Sequence, residues 1–321
     1  MHLVSIDQIR NAMARIENHV FHTPLLPCAW AQDGTDETRT LKLKPENLQS
    51  IGSFKIRGAA NAVAALTPEQ RARGVVTHSG GNHGQGLALA ARHYGVRAVI
   101  VVPDVAPAVK VEAMRKLGAT VVLVPAADRF RRANELIATH GYTLVPSFDA
   151  HEVIAGQGTV GLEIIQDFSD VETVLVPIGG GGLAAGVGTA VKALAPEVRV
   201  IGVEPELAAE TRESFGRGTL VPWEAERTYR TIADGVRLCP SELTFAHLVA
   251  RLDDIVAVSE DEIREAMRVL AHRAHLVVEP SGALTTAAYL FHREELPPRR
   301  HHVAIVSGGN VDAKAYAQIL A

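Results

Sequence analysis

Short aliphatic and β-branched runs recur along the chain, each followed by a Gly- or Ser-rich turn and then an Ala-rich stretch with helical spacing. They are G-V-V-T-H-S (74–79), R-A-V-I-V-V-P (97–103), A-T-V-V-L-V-P (119–125), T-V-L-V-P-I-G (173–179), R-V-I-G-V-E-P (199–205) and H-V-A-I-V-S-G-G (302–309). Strands this continuously apolar are buried on both faces, and helices between them imply parallel β-α-β units. Irregular loops and two groups of strands favour doubly wound sheets over a single closed barrel. The fold class is therefore α/β, with two open, twisted, mainly parallel sheets. Residues 71–145 carry a strand–helix series of their own. This predicts a small domain inserted into a large one made of residues 1–70 and 146–321, with Pro146 near the return crossing.

Composition narrows the function. A chain of 321 residues, 47% of them hydrophobic, has enough apolar material for two domains with real cores. A net charge of −4 and the lack of a long basic run argue against nucleic acid as a partner. Apolar stretches such as A-V-I-V-V-P from Ala98 are too short to cross a bilayer, and the opening M-H-L-V-S-I-D-Q-I-R lacks the core of a secretory signal. Cys28 and Cys239 lie far apart with no C-x-x-C spacing, which suits free thiols in a reducing compartment. A cytoplasmic protein that acts on small molecules is expected. Thr67-Pro68-Glu69 and Ser259-Glu260-Asp261-Glu262 read as helix starts. Residues 33–39 read as an exposed loop, and most histidines, H-R-A-H (272–275) and H-H (301–302) included, as surface or capping groups.

The chemistry concentrates in four motifs: S-F-K-I-R-G-A (53–59), H-S-G-G-N-H-G-Q-G (78–86), P-I-G-G-G-G-L (177–183) and V-S-G-G-N (306–310). A glycine cluster after a strand is by default a turn. Gly179, Gly180, Gly181 and Gly182, however, expose successive backbone N–H groups just before a helical segment whose dipole favours an anion, so they can form a phosphate cup. A lone lysine is by default a solvated charge. Lys55 instead stands between Phe54 and Ile56, where desolvation would lower its pKa and free the amine to attack an aldehyde.

Together with T-P-L (23–25), K-P-E-N-L-Q (44–49), A-G-Q-G-T (155–159) and A-D-G-V (233–236), these motifs make the chain resemble the fold-type-II pyridoxal-phosphate enzymes. Within that group it is similar to the threonine/serine dehydratases and serine racemase, through essentially its whole length. The resemblance implies a tryptophan-synthase-β-like fold, pyridoxal 5'-phosphate as cofactor, and a homodimer or homotetramer. By the same likeness Lys55 matches the Schiff-base lysine, Phe54 the residue packed on the pyridine ring, and Asn82 the partner of the ring hydroxyl. Gly179–Gly182 match the phosphate cup, Ser307 the partner of the pyridine nitrogen, and Glu279 a group near the ring. Ser79, Asn82 and His83 lie in a loop like the one that receives the substrate carboxylate, and Arg132 aligns with a substrate-side arginine, with Arg131 beside it.

A serine hydroxyl at Ser307 cannot protonate the pyridine nitrogen as a carboxylate would, which makes the ring a weaker electron sink and favours elimination over transamination. Lys55 would take the Cα proton, and the resemblance implies the cofactor phosphate as acid for the departing hydroxyl. The activity implied is a lyase that converts L-threonine, L-serine or a related β-hydroxy amino acid to a 2-oxo acid and ammonia. A serine or hydroxyaspartate racemase, or a bifunctional enzyme, is the alternative. Racemisation needs a second acid/base where this sequence has Gly80, which counts against it. G-V-E-P-E-L-A-A-E (202–210) resembles a segment that holds Mg²⁺ or Ca²⁺ through Glu204, the Ala208 carbonyl and Glu210. A chain ending at Ala321 leaves no room for the C-terminal regulatory domain of feedback-controlled relatives, so no isoleucine inhibition of that kind is expected. A non-catalytic amino-acid-binding protein is a further possibility of another class, and an intact Lys55 argues against it.

Overall fold

The computed structural model describes residues 2–32, 39–106 and 108–321. Its strands are β1 (Leu26–Pro27), β2 (Thr40–Pro45), β3 (Val75–His78), β4 (Ala98–Pro103), β5 (Thr120–Val124), β6 (Thr143–Leu144), β7 (Thr173–Pro177), β8 (Arg199–Pro205), β9 (Asp254–Val258) and β10 (His301–Val306). They build two sheets, ordered β1-β2-β10-β7-β8-β9 and β5-β4-β3-β6. Every pairing is parallel except that of β1 with β2. The second sheet uses only residues between 75 and 144, while the chain on either side of it supplies the first.

All six apolar runs form strands, with β7 and β10 at the centre of the larger sheet. Strand β2 has no such signature, because T-L-K-L-K-P alternates apolar residues with lysines. It is held by full parallel pairing to β10 and by disposal of both lysines. Lys44 is buried against Glu163 at 2.6 Å, and Lys42 lies 3.5 Å from the centre of the Phe168 ring. Thr67 and Ser259 each complete a capping box, opening the helices Pro68–Arg73 and Glu260–Arg273.

Two surface expectations need correction. Residues 33–38 of the expected exposed loop lie outside the described residues, but Arg39 at its end is buried, and its guanidinium donates to the carbonyls of Pro297 and Arg299. Not every histidine outside the motifs is a surface group either. His302 and His247 are fully buried, and their ring nitrogens find backbone partners at Arg299, Leu243 and Val4. A neutral imidazole surrounded by apolar residues is stable when its N–H reaches a carbonyl, and sequence spacing does not announce that.

Candidate active site

In open parallel sheets the C-terminal strand ends leave room for ligands, and here three strands deliver motif residues from those ends. β3 leads into Ser79 and the helix Asn82–His93, β7 into the glycine loop and the helix Gly182–Leu194, and β10 into Ser307. Lys55 begins the helix Lys55–Ala64. It is tied to the β10 end because Phe54 N–H donates to the Ser307 carbonyl at 3.1 Å and Ser53 bridges Gly308.

The Lys55 amine donates to the Ser147 carbonyl at 2.8 Å and lies 5.1 Å from the centre of the Phe54 ring. Among the described residues no carboxylate forms an ion pair with it. Burial pushes its pKa down from 10.5 to about 8, against a weaker upward pull from Glu279. Glu279 is itself buried. Burial, and then the Asp234 charge, raise its carboxyl to about 7, opposed by the hydrogen bond from Asn82. Asn82 donates to Glu279 at 2.7 Å and accepts from Asn310 at 2.8 Å, so the loops after β3 and β10 are locked together. Gly308 leaves space for the carboxylate, since a Cβ there would overlap Glu279 Oε1.

The glycine loop opens its helix with Gly181 at φ +85°, a conformation L side chains rarely adopt. Among the described residues the N–H groups of Gly179–Gly182 donate to no protein acceptor. They remain free for an anion at a helix N-terminus. Packing demands glycine here too, because a Cβ on Gly180 would overlap the Phe148 ring.

Lys55, Phe54, Asn82, Glu279 and Ser307 are therefore brought together, with the glycine loop facing the Ser147–Phe148 segment. Ser307 is buried and its hydroxyl donates to the Ser281 carbonyl at 3.3 Å. Ser79 accepts from Gly81 N–H, and around Gly81 a Cβ would find open space. The His83 side chain is turned inward, with Nε2 at 2.9 Å from the Val145 carbonyl, so only its backbone can serve a substrate anion. Among the described residues Arg132 makes no hydrogen bond or ion pair with this group and is engaged by Glu135 in an ion pair on the helix Arg129–His140, where Arg131 pairs with Asp128 and Glu135. Glu204 is buried and accepts from the N–H groups of Thr211 and Arg212. Glu210 Oε2 is buried with no hydrogen-bond partner among the described residues. Among the described residues no cluster of three or more His, Cys, Asp or Glu side chains forms a metal-ligand array.

Ser147, Phe148, Asp234 and Asn310 were not assigned from sequence. A carbonyl acceptor such as Ser147 leaves no side-chain signature at all. Asn310, by contrast, ends a motif already singled out.

A family model described as pyridoxal-phosphate dependent enzyme matches residues 16–308. The chain is 39% identical to an L-threo-3-hydroxyaspartate ammonia-lyase of Saccharomyces cerevisiae over 97% of its own length and 95% of that protein. It is similar in structure to a threonine deaminase from T.th., with a TM-score of 0.90, 42% identity, and coverage of 96% of this chain and 99% of that one. It is similar also to maize serine racemase, with a TM-score of 0.93, 36% identity, and coverage of 99% and 97%.

Proposed function

The chain belongs to the pyridoxal-phosphate-dependent enzymes, and from that premise we propose that it is an ammonia-lyase which dehydrates L-threonine, L-serine or a related β-hydroxy amino acid to a 2-oxo acid and ammonia. The carrying observation is a desolvated Lys55 amine that, among the described residues, forms no ion pair with a carboxylate, set among Phe54, Asn82, Glu279 and a glycine loop of free N–H groups. That donor set fits the cofactor: the amine for its aldehyde, the free N–H groups of Gly179–Gly182 for its phosphate, and the Phe54 ring beside the amine for its own ring. When bound, pyridoxal phosphate supplies the electron sink that acidifies the substrate Cα–H.

This chain's own residues do the rest. The start of the helix Asn82–His93 offers N–H groups to the substrate carboxylate, beside a loop in which Ser79 already holds the Gly81 N–H. Burial brings the Lys55 pKa down to about 8, which eases release of its proton and lets the free amine take the Cα proton. Ser307 presents only a hydroxyl, already donated to Ser281, and a hydroxyl cannot protonate the ring nitrogen to strengthen the sink, so loss of the β-hydroxyl is favoured. Arg132 would reach the substrate only by exchanging Glu135. Glu204, the Ala208 carbonyl and Glu210, with its orphaned Oε2, would hold Mg²⁺ or Ca²⁺.

The racemase reading draws on the likeness to the maize enzyme. It meets a chemical obstacle at Gly80, which has no side chain to carry a proton. We further propose a small domain of residues 71–145 within a large one of residues 1–70 and 146–321, which the separate second sheet supports, and a homodimer or homotetramer. A cytoplasmic setting is proposed from the two free thiols. Among the described residues no helix is long and apolar enough to cross a membrane.

The test is a panel of β-hydroxy amino acids of both configurations, assayed for 2-oxo acid and ammonia, with Lys55→Ala expected to abolish turnover throughout. D-Serine appearing faster than pyruvate would transfer the assignment to the racemase. Borohydride labelling of a different lysine would end the proposal.

A further inference from the structure

The reaction described above uses the backbone of His83 and leaves its imidazole without a task, although the ring is buried beside the reactive lysine. His83 is 2% exposed. Its Nε2 lies 2.9 Å from the Val145 carbonyl, and because a carbonyl only accepts, Nε2 must carry the proton. In the neutral ring Nδ1 is then a bare acceptor. Burial, and then the charge of Lys55, depress His83 to about 3, so the ring is neutral throughout the physiological range. Nδ1 is buried and has no hydrogen-bond partner among the described residues. Buried polar atoms are seldom left in that state without a reason.

The helix face that carries this orphan packs against the Lys55 segment, and the Lys55 charge acts on its ring. Gly86 lies three residues beyond His83 and hence on the same face of its helix. That face abuts the reactive lysine, since a Cβ on Gly86 would stand 3.2 Å from the Lys55 carbonyl carbon and oxygen. The two side chains also hang from one short segment: His83 donates to the Val145 carbonyl, and Lys55 to the Ser147 carbonyl two residues on. Among the described residues Glu279 is the charge that acts on Lys55, and Lys55 and His78 are the charges that act on His83.

We propose that His83 is a positioning residue for the catalytic lysine: its bare Nδ1 accepts the Lys55 ammonium, directly or through one water, while the amine is not bonded to the cofactor. Ser147 and His83 would then form a two-acceptor cradle that keeps the proton-bearing amine over the substrate instead of letting it swing away. The proposal rests on Lys55 being the cofactor lysine and base.

Two substitutions separate this role from a structural one. A glutamine amide falls near the position of Nε2 and can keep the bond to Val145, whereas an asparagine amide falls near Nδ1 and can keep the acceptor. The readouts are the pH dependence of Lys55 acylation in the apoprotein, followed by peptide mapping, together with kcat and KM of the holoenzyme and the melting temperature. For His83→Gln the apparent pKa of Lys55 should fall by about one, and kcat by about tenfold with KM nearly unchanged, at wild-type melting temperature. His83→Asn should keep the Lys55 titration and most of kcat while melting lower. Wild-type titration of Lys55 in His83→Gln overturns the proposal, as does rescue by glutamine and not by asparagine. If His83→Asn fails to fold, His83→Gln alone decides. Because acylation is read without cofactor, failure here is distinct from failure of the lyase reading, which borohydride labelling reports separately.

Discussion

The burial that readies Lys55 for chemistry should burden the apoprotein, and the size of that burden follows from the titration. The lysine titrates at 10.5 without the fold and at about 8 within it. Between those values the folded state binds fewer protons than the unfolded state, so stability rises with pH across that window. Below about 8 both states carry the proton and the full cost of the buried ammonium is present. The difference of about 2.5, at roughly 1.4 kcal/mol per pH unit, is about 3 kcal/mol. Lys55→Met removes that cost and also removes the hydrogen bond to Ser147, which offsets about 1 kcal/mol. The variant apoprotein should therefore be more stable than wild type by roughly 2 kcal/mol at pH 7, with the advantage shrinking toward zero near pH 10. Urea midpoints at the two pH values, with unchanged m, measure it. A midpoint that falls at pH 7, or a gain of equal size at both pH values, would show that the amine is not desolvated.

Other consequences follow from the same contacts. Arg57→Met leaves the buried carboxylates of Glu46 and Glu163 without their guanidinium and should lower stability by about 3–5 kcal/mol in urea titration, whereas Arg131→Ala, on an exposed helix face, should leave the midpoint unmoved. Gly308→Ala drives a methyl group into Glu279 Oε1 and should weaken cofactor binding, measured by absorbance titration, more than it lowers the melting temperature. His302 and His83 are depressed to about 4 and about 3, so the folded state takes up their protons later than the unfolded state. Stability should fall as pH drops below 6.5, and His302→Gln should flatten part of that acid limb in a melting series.

How far the fold was legible depended on which residues carry it. β4 and β7 are apolar along most of their length, and a strand buried on both faces can hardly be written otherwise. The glycine loop was visible because free N–H groups need residues without side chains. β2 was not, because its lysines are neutralised by partners far away in sequence. β9 (D-I-V-A-V) is as apolar as its neighbours and could have been read as a strand. In the site, Lys55, Asn82, Glu279 and Ser307 were named from motif likeness and do converge. Arg132 belonged to the same reading, but its helix carries acidic partners at the spacing that captures an arginine locally. The inward turn of His83 was hidden as well, because its partner is a carbonyl and carbonyls have no sequence.

The least legible feature reaches furthest into function. Arg57 is fully buried, donates to both carboxylate oxygens of Glu46 and both of Glu163, and sits two residues beyond Lys55. Glu163 also pairs with Lys44 at 2.6 Å, so the network joins β2, the Lys55 helix and the helix His151–Asp167. The last of these begins four residues after Ser147, whose carbonyl receives the Lys55 amine. Donor and acceptor are thus referred to one rigid anchor, although neither belongs to it. Apolar replacement of a buried ion network is often neutral or stabilising, so stability alone gives little reason to retain four charges there. Bidentate pairing supplies directional register, which an apolar contact cannot. Sliding the Lys55 helix against its neighbour by a fraction of a turn would leave the hydrophobic contacts largely intact while moving the amine off the Ser147 carbonyl. On this reasoning the charges under the site hold an angle and a distance for the lysine above them.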